Sequence, residues 1–369
     1  MVRLSRAQQQ ERTQAAVLAA ARDEFTEHGY AEAKVDRIAE RAELTRGAVY
    51  SNFPGKRALY LAVLVDMVER SAVGEVPSSP SSVAEALGVF ARVWLERLPL
   101  AGDPPAGGHL QLRSLAGVVD DEPARTALAQ VTRLEALLLG LALESRGPRR
   151  GGPARRVRLA ELVLTLLHGS GHLAELAPGF GDPFDVARAC QELARIDLSD
   201  AWDPPHVPFV APARPCQDTW ASPAELTDQL TGRRAGLDED GVLAFLGTGR
   251  LEAAEEAVRA ARPGDRVTVI VLTSDPAEIG RLVRLRVSDL TGCLRRVFAP
   301  GQWPRLRLVL DDGALAASAV GLPDADDATE AAVRIQDGRI VARAHGRGAA
   351  HAAATAGAST TTRPDGTGA

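Results

Sequence analysis

The sequence predicts a mainly α-helical chain, all-helical over its N-terminal two-thirds and α/β over the remainder. Three observations carry this. From Val17 to Leu141, apolar residues recur at i, i+3, i+4 and i+7. After residue 240 that period gives way to short β-branched runs such as RVTVIVL. Between the two lies a proline-rich stretch without periodicity, SDAWDPPHVPFVAPARPCQDTWASP. The spacing places domains at 1–72 and 77–198, a linker at 199–223, an α/β domain at 224–351 and a disordered tail at 352–369.

The first helix is expected over 7–28, with Val17, Leu18, Ala21 and Phe25 on one side. Val35, Ile38, Ala39 and Ala42 then define a short second helix. Glu43 and Leu44 form the connection, and Thr45 is an N-cap for the third, since its hydroxyl can accept a free backbone N–H. Ala48, Val49 and Phe53 turn inward, which leaves Arg46, Tyr50, Ser51 and Asn52 facing out. Gly47 puts no side chain between the backbone and a target. Pro54-Gly55 stops this helix, and a fourth runs over 56–71. Two helices across a tight turn form a helix-turn-helix, whose second helix fits a DNA major groove. Arg37, Arg41, Arg46, Lys56 and Arg57 supply a local basic surface, with Arg3 and Arg6 as further backbone contacts.

These residues resemble a known family. G-Y, then V-x-x-I-A-x-x-A, then T-R-G-A-V-Y-S-N-F-P-x-K with a following Leu is similar to the N-terminal signature of TetR-type transcriptional regulators. The resemblance implies that Arg46 reads a base edge, a guanine by geometry. It implies that Lys34, Thr45, Tyr50, Asn52 and Lys56 mostly grip phosphates, with Gly47 and Ser51 on the same face. Two positions depart from the family: Lys34 stands where Thr or Ser is common, and Asn52 where an aromatic or His is usual. The family also implies a homodimer on a roughly palindromic operator, a small-molecule effector and, most often, repression.

Five helices are expected next, at 81–98, 108–119, 122–146, 153–177 and 183–197. Their position is similar to the effector-binding and dimerisation domain of TetR-type proteins, the last two pairing with their mates. Phe90, Trp94, Leu112, Leu115, Leu134 and Leu138 are pocket candidates, although each also fits ordinary core. His168, His172 and Glu175 share one helical stripe, but the two glycines of HGSGH favour close helix packing over a metal site.

In the last third, strands are expected at 241–248, 266–272, 306–310, 331–335 and 339–343, with helices at 251–261, 276–286 and 314–321. Gln336-Asp337-Gly338 between alternating runs signals a hairpin. That order, with FLGTG, LVLDDGALAASAVGL and AVRIQDGRIVARAHG, resembles the thioredoxin-like fold. Arg250 and Ala253 occupy the positions of its reactive cysteine pair, which implies a redox-inactive domain and no enzymatic activity. Two alternatives are a thiol–disulfide oxidoreductase and a dinucleotide-sensing domain fused to a DNA-binding head. For the latter, Gly247 and Gly249 would open the phosphate loop with Asp275 as ribose partner, but Glu252 replaces the third glycine.

Net charge is −5, which excludes indiscriminate nucleic-acid coating but not a local basic reader. Three distant cysteines offer no zinc spacing. The longest apolar run, Ala136 to Leu143, falls short of the ~18 residues of a membrane span and is flanked by Glu135 and Glu144. The polar N-terminus carries no secretory signal. A cytoplasmic protein without cofactor, metal or membrane partner is the expectation.

Overall fold

A computed structural model describes residues 5–71, 80–96, 115, 117–146, 155–177, 179–198, 200–298 and 306–357. Four helices build the head: α1 (Arg6–Glu32), α2 (Val35–Arg41), α3 (Arg46–Asn52) and α4 (Lys56–Ser71). A capping box starts α1, with Ser5 Oγ accepting from Gln8 N at 3.2 Å and Gln8 Oε1 accepting from Ser5 N at 2.9 Å. The helix outruns its predicted end at residue 28 but kinks at Gly29, whose φ of +68° suits glycine. The kink returns Tyr30 to Phe25 and Tyr60, whose rings meet edge to face at 4.9 Å. Phe25, Ile38, Val49, Phe53 and Leu64 fill this core.

Four further helices follow: α5 (Val83–Leu95), α6 (Glu122–Glu144), α7 (Val157–Leu176) and α8 (Pro183–Leu193). Ser82, Asp121 and Asp182 cap α5, α6 and α8 by accepting backbone N–H bonds. The helices α6 and α7 approach so closely at Gly140 that a Cβ there would lie 2.9 Å from Val157 Cα. The helix expected at 108–119 falls mostly outside the described residues; Val118 and Val119 lie in a turn and a bend instead. By length and hydropathy α6 could cross a membrane, but 72% of that window is buried within the protein, as in a core helix.

The last part is one six-stranded sheet. Its strands are β1 (Arg214–Thr219), β2 (Gly241–Gly247), β3 (Arg266–Leu272), β4 (Leu306–Leu310), β5 (Glu330–Gln336) and β6 (Arg339–His345), in the order β1-β6-β5-β2-β3-β4. The pairs β2–β3 and β3–β4 are parallel and the other three antiparallel. Three helices join them, α9 (Ala253–Ala260), α10 (Arg281–Arg295) and α11 (Leu315–Ala319), and α12 (Ala349–Thr355) follows β6. Strand alternation sorts the side chains between faces. Ala244, Leu246, Val267, Val269 and Val271 face α9 and α10, whereas Leu243, Phe245, Ile270 and Leu272 face α11 and the segment around Trp220.

Three expectations are corrected. The stretch 199–223 is not only a linker. It contributes β1, and Trp220 is buried with its Nε1 donating to Leu237 O at 2.9 Å. The helix expected to end at 286 opens as a π-turn, Pro276–Gly280, and continues as α10 to Arg295. Of the tail expected to be disordered from 352, residues 352–355 instead complete α12, with Ala352, Ala353 and Ala354 buried against the sheet, and residues 358–369 lie outside the described residues.

The α/β unit is not held by its connection alone. Ile279, Leu282 and Leu285 join the core of the head. Val283, Val287 and Leu290 join a core shared with α5, α6 and α7. Buried ion pairs Arg286–Glu135 (2.6 Å) and Arg259–Glu144 (2.9 Å) cross the same boundary.

Candidate nucleic-acid interface and effector cavity

The turn of the helix-turn-helix is made at Glu43, whose φ is +55°, and Leu44 N closes it on Ala39 O at 2.9 Å. Thr45 Oγ1 accepts from Ala48 N at 3.2 Å and so caps α3. Val49 and Phe53 are buried, while Thr45, Arg46, Gly47, Tyr50 and Ser51 are exposed along α3. A Cβ added at Gly47 would meet only Thr45 Oγ1, at 3.9 Å. Packing within the protein therefore does not demand glycine there; a surface docking against bare backbone would. The Arg46 guanidinium lies 5.4 Å from the Tyr50 ring centroid and 3.2 Å from Asp36 Oδ1, held outward by two exposed partners.

The basic surface is smaller than the sequence implies. Arg37 Nε donates to Glu24 at 2.6 Å, Arg41 to Glu27 at 2.8 Å, and Arg57 to Asp121 at 2.6 Å. Lys56 is half-buried; its Nζ donates to Ala31 O at 2.9 Å and lies 5.0 Å from the Tyr30 ring, and burial lowers its pKa. Asn52 Nδ2 turns back to Ala48 O at 2.9 Å, as does Ser51 Oγ. Lys34 is exposed and precedes α2 without a side-chain cap. Arg3 lies outside the described residues.

Glu24 is a site residue that sequence reasoning missed. It is fully buried, and its Oε1 accepts from Lys34 N at 3.0 Å as well as from Arg37. This one carboxylate ties α1 to the start of α2. A signal existed: Glu24 stands seven residues after Val17, on the stripe that faces the core.

A cavity of about 850 Å³ opens between α5, α6, α7 and α10. Of the predicted pocket residues, Trp94 and Leu115 line it; Phe90, Leu134 and Leu138 are fully buried core, and Leu112 lies outside the described residues. His168, His172 and Glu175 also line it. His168 Nε2 is 2.8 Å from Arg286 Nη2, and its ring meets Trp94 edge-on at 5.1 Å. Among the described residues, no group of three or more His, Cys, Asp or Glu is placed to hold a metal ion.

At the corner after β2, Arg250 pairs with buried Glu330 at 2.6 Å. Glu252 accepts from Gln130 Nε2 at 3.0 Å and pairs with Arg133, both on α6. A Cβ at Gly247 would lie 2.4 Å from Asp326 O, and Gly249 N donates to Asp327 O at 2.8 Å. The chain itself fills the space a dinucleotide phosphate would need, and Asp275 is engaged with Glu278 N at 3.0 Å. Cys190 is buried in α8, its thiol pushed up to about 12 by burial; Cys216 lies on β1 and Cys293 in α10.

The model for bacterial regulatory proteins of the tetR family matches residues 17–63. Two solved structures align over about half of the chain. One is a TetR transcriptional regulator from Rhodococcus sp. RHA1, 22% identical, covering 52% of this chain and 99% of its own, with a TM-score of 0.32. The other is the transcriptional regulator FadR from Bacillus subtilis in complex with stearoyl-CoA, 15% identical, covering 48% and 96%, with a TM-score of 0.31. No curated protein matches the sequence. Residues 17–63, folded into the helix-turn-helix described above, carry the N-terminal domain of the tetR family of bacterial regulatory proteins.

Proposed function

We propose that the chain is a homodimeric, ligand-responsive repressor that places α3 in the major groove of a roughly palindromic operator. The exposed face of α3 carries this reading, above all a glycine that internal packing does not require beside an outward arginine. Arg46 would read a base edge, Lys34 and Tyr50 would hold phosphates, and Thr45, Gly47, Ser51, Asn52 and Lys56 would complete the surface. A gel-shift series on an operator obtained by selection from random duplexes tests it. Arg46→Ala is expected to lower operator affinity by about 1–3 kcal/mol and to broaden sequence preference. Tyr50→Ala should weaken all duplexes evenly. An Arg46→Ala protein with unchanged affinity and preference would exclude the base-reading role.

Dimer formation is supported by an apolar stripe on α7 and in α8. Leu173, Leu176 and Phe184 are 44%, 70% and 77% exposed. The Leu176→Glu/Phe184→Glu protein should sediment as a monomer; sedimentation as a dimer would place the two-fold elsewhere.

The α/β unit is read as thioredoxin-like. Parallel β2–β3 with the antiparallel β5–β6 hairpin beside β2 and α12 after it supports this. Arg250 and Ala253 at the cysteine positions, with Arg250 ion-paired to Glu330, support a binding or bracing role without catalysis. The effector would occupy the cavity and favour the arrangement whose two heads are wrongly spaced for the operator. A cytoplasmic location fits this role.

A further inference from the structure

One side chain in the cavity wall does not belong to the helical domain. Arg286 comes from α10 of the α/β unit, yet it lines the space bounded by α5, α6 and α7. It is only 7% exposed. Its Nη2 donates to Glu135 Oε2 at 2.6 Å and lies 2.8 Å from His168 Nε2. Its Nε is buried with no hydrogen-bond partner. The guanidinium forms part of the cavity wall, so an anionic acceptor entering the cavity meets its edge.

We propose that this cavity takes an amphipathic monoacid, with Arg286 of the α/β unit as the anchor for its carboxylate. The proposal rests on the effector reading above and names the ligand class. Size and lining agree: about 850 Å³ lies in the range of small-molecule sites, and Leu115, Leu128, Leu164 and Leu167 suit an apolar body. Charge fixes the head group. Glu135 already takes one donor of the guanidinium, so one added negative charge can be met at its remaining edge. A second charge, as on a phosphate dianion, would face Glu135 and the lining acids Glu161 and Glu175, while of the other lining cations Arg133 is paired with Glu252 and Arg125 donates to Asp120 O.

The anchor also places the ligand one step from the DNA head. Within the turn that precedes Arg286, Leu282 and Leu285 pack in the core of the head, and the Arg281 guanidinium lies 5.3 Å from the Phe53 ring at the end of α3. A ligand that holds Arg286 therefore acts on the helix that braces the reading helix, and the α/β unit forms part of the receptor.

Calorimetric titration of the full-length protein with decanoate and with decanol, its neutral counterpart, tests the anchor. Decanoate is expected to bind at least about ten-fold more tightly than decanol. Arg286→Gln should erase that preference and leave decanol binding unchanged. The Glu135→Gln/Arg286→Gln protein, which buries no unpaired charge, should behave as the single variant and guards against misfolding. Equal affinities in the wild type, no binding of either probe, or a preference that survives in the double variant overturns the proposal. Operator gel shifts with decanoate separate the two claims. Release that does not depend on Arg286 keeps the effector reading and overturns the anchor. Binding that depends on Arg286 but releases no DNA keeps the anchor and overturns the effector reading.

Discussion

Replacing Glu24 by alanine is expected to destabilise the DNA-binding head by about 3–5 kcal/mol and to abolish operator binding. The carboxylate is fully buried and joins α1 to the first turn of α2 through Lys34 N and Arg37. Its removal leaves a buried backbone N–H without its acceptor and frees Arg37 and Arg41, both drawn inward by this charge. The orientation of α2 against α1 sets where α3 points, so recognition should fail with it. The same residue dictates a pH dependence. Burial acts to raise the Glu24 carboxyl, but the Lys34 hydrogen bond and Arg37 outweigh it and hold the value below the ordinary carboxylate range. A depressed folded-state value stabilises the protein above the unfolded value of about 4.3, and this is lost as pH falls through the folded value. Guanidinium titrations of wild type and variant between neutral pH and about pH 3 measure both effects. A loss below about 1 kcal/mol, or the same acid sensitivity in the variant, would show that Glu24 does not carry this junction.

Substituting Arg57 by alanine should cost about 1–2 kcal/mol and let the head unfold separately from the rest. The sequence alone groups this side chain with the DNA-facing basic surface. It instead joins three parts of the fold: its own helix α4, Asp121 at the N-cap of α6 at 2.6 Å, and Glu278 in the π-turn before α10. Asp120 lies at 3.4 Å. Asp121 is engaged twice, since it also accepts from Ala124 N at 2.8 Å, and these two bonds hold its pKa below the usual range. A lysine could supply the charge but not the fork, so Arg57→Lys should recover only part of the loss. Differential scanning calorimetry should show one transition for the wild type and an earlier, separate head transition for Arg57→Ala. A single unshifted transition in the variant would mean that the three parts are held together elsewhere.

The reading head was legible because its signals are local. Thr45 as cap, the 3.6-residue period from Val35 to Ala42 and the Pro54-Gly55 stop act within a few residues of chain, and the fold keeps them. Strands β3 and β4 were legible for the same reason, as β-branched or leucine-rich runs. What escaped was set by distant partners. β1, RPCQDT, is exposed at nearly every position and has no apolar alternation; its backbone pairing with β6 makes it a strand. α12 is nearly all alanine, a good helix former, but the Gly-, Ser- and Thr-rich run after it masked the signal; its small side chains let it lie close on β5 and β6. The continuation of α10 beyond 286 was masked by Asp289, Thr291 and Gly292, poor helix formers that tertiary packing buries. The cavity was half legible: aromatic spacing marked Trp94, but no local pattern could bring Arg286 to a wall built more than a hundred residues earlier.

The contact of Arg57 with Glu278 spans 221 positions of chain. At roughly 5–20 residues per second, ribosomal synthesis delivers Glu278 about 10–45 s after Arg57. Through that interval the flank of α4 that Ile279, Leu282 and Leu285 later cover has no partner, although its own helix-turn-helix is complete. Such non-local closure is slow, because the ends of a long loop must meet before any contact rewards them. The reading head is made well before the segment that braces it.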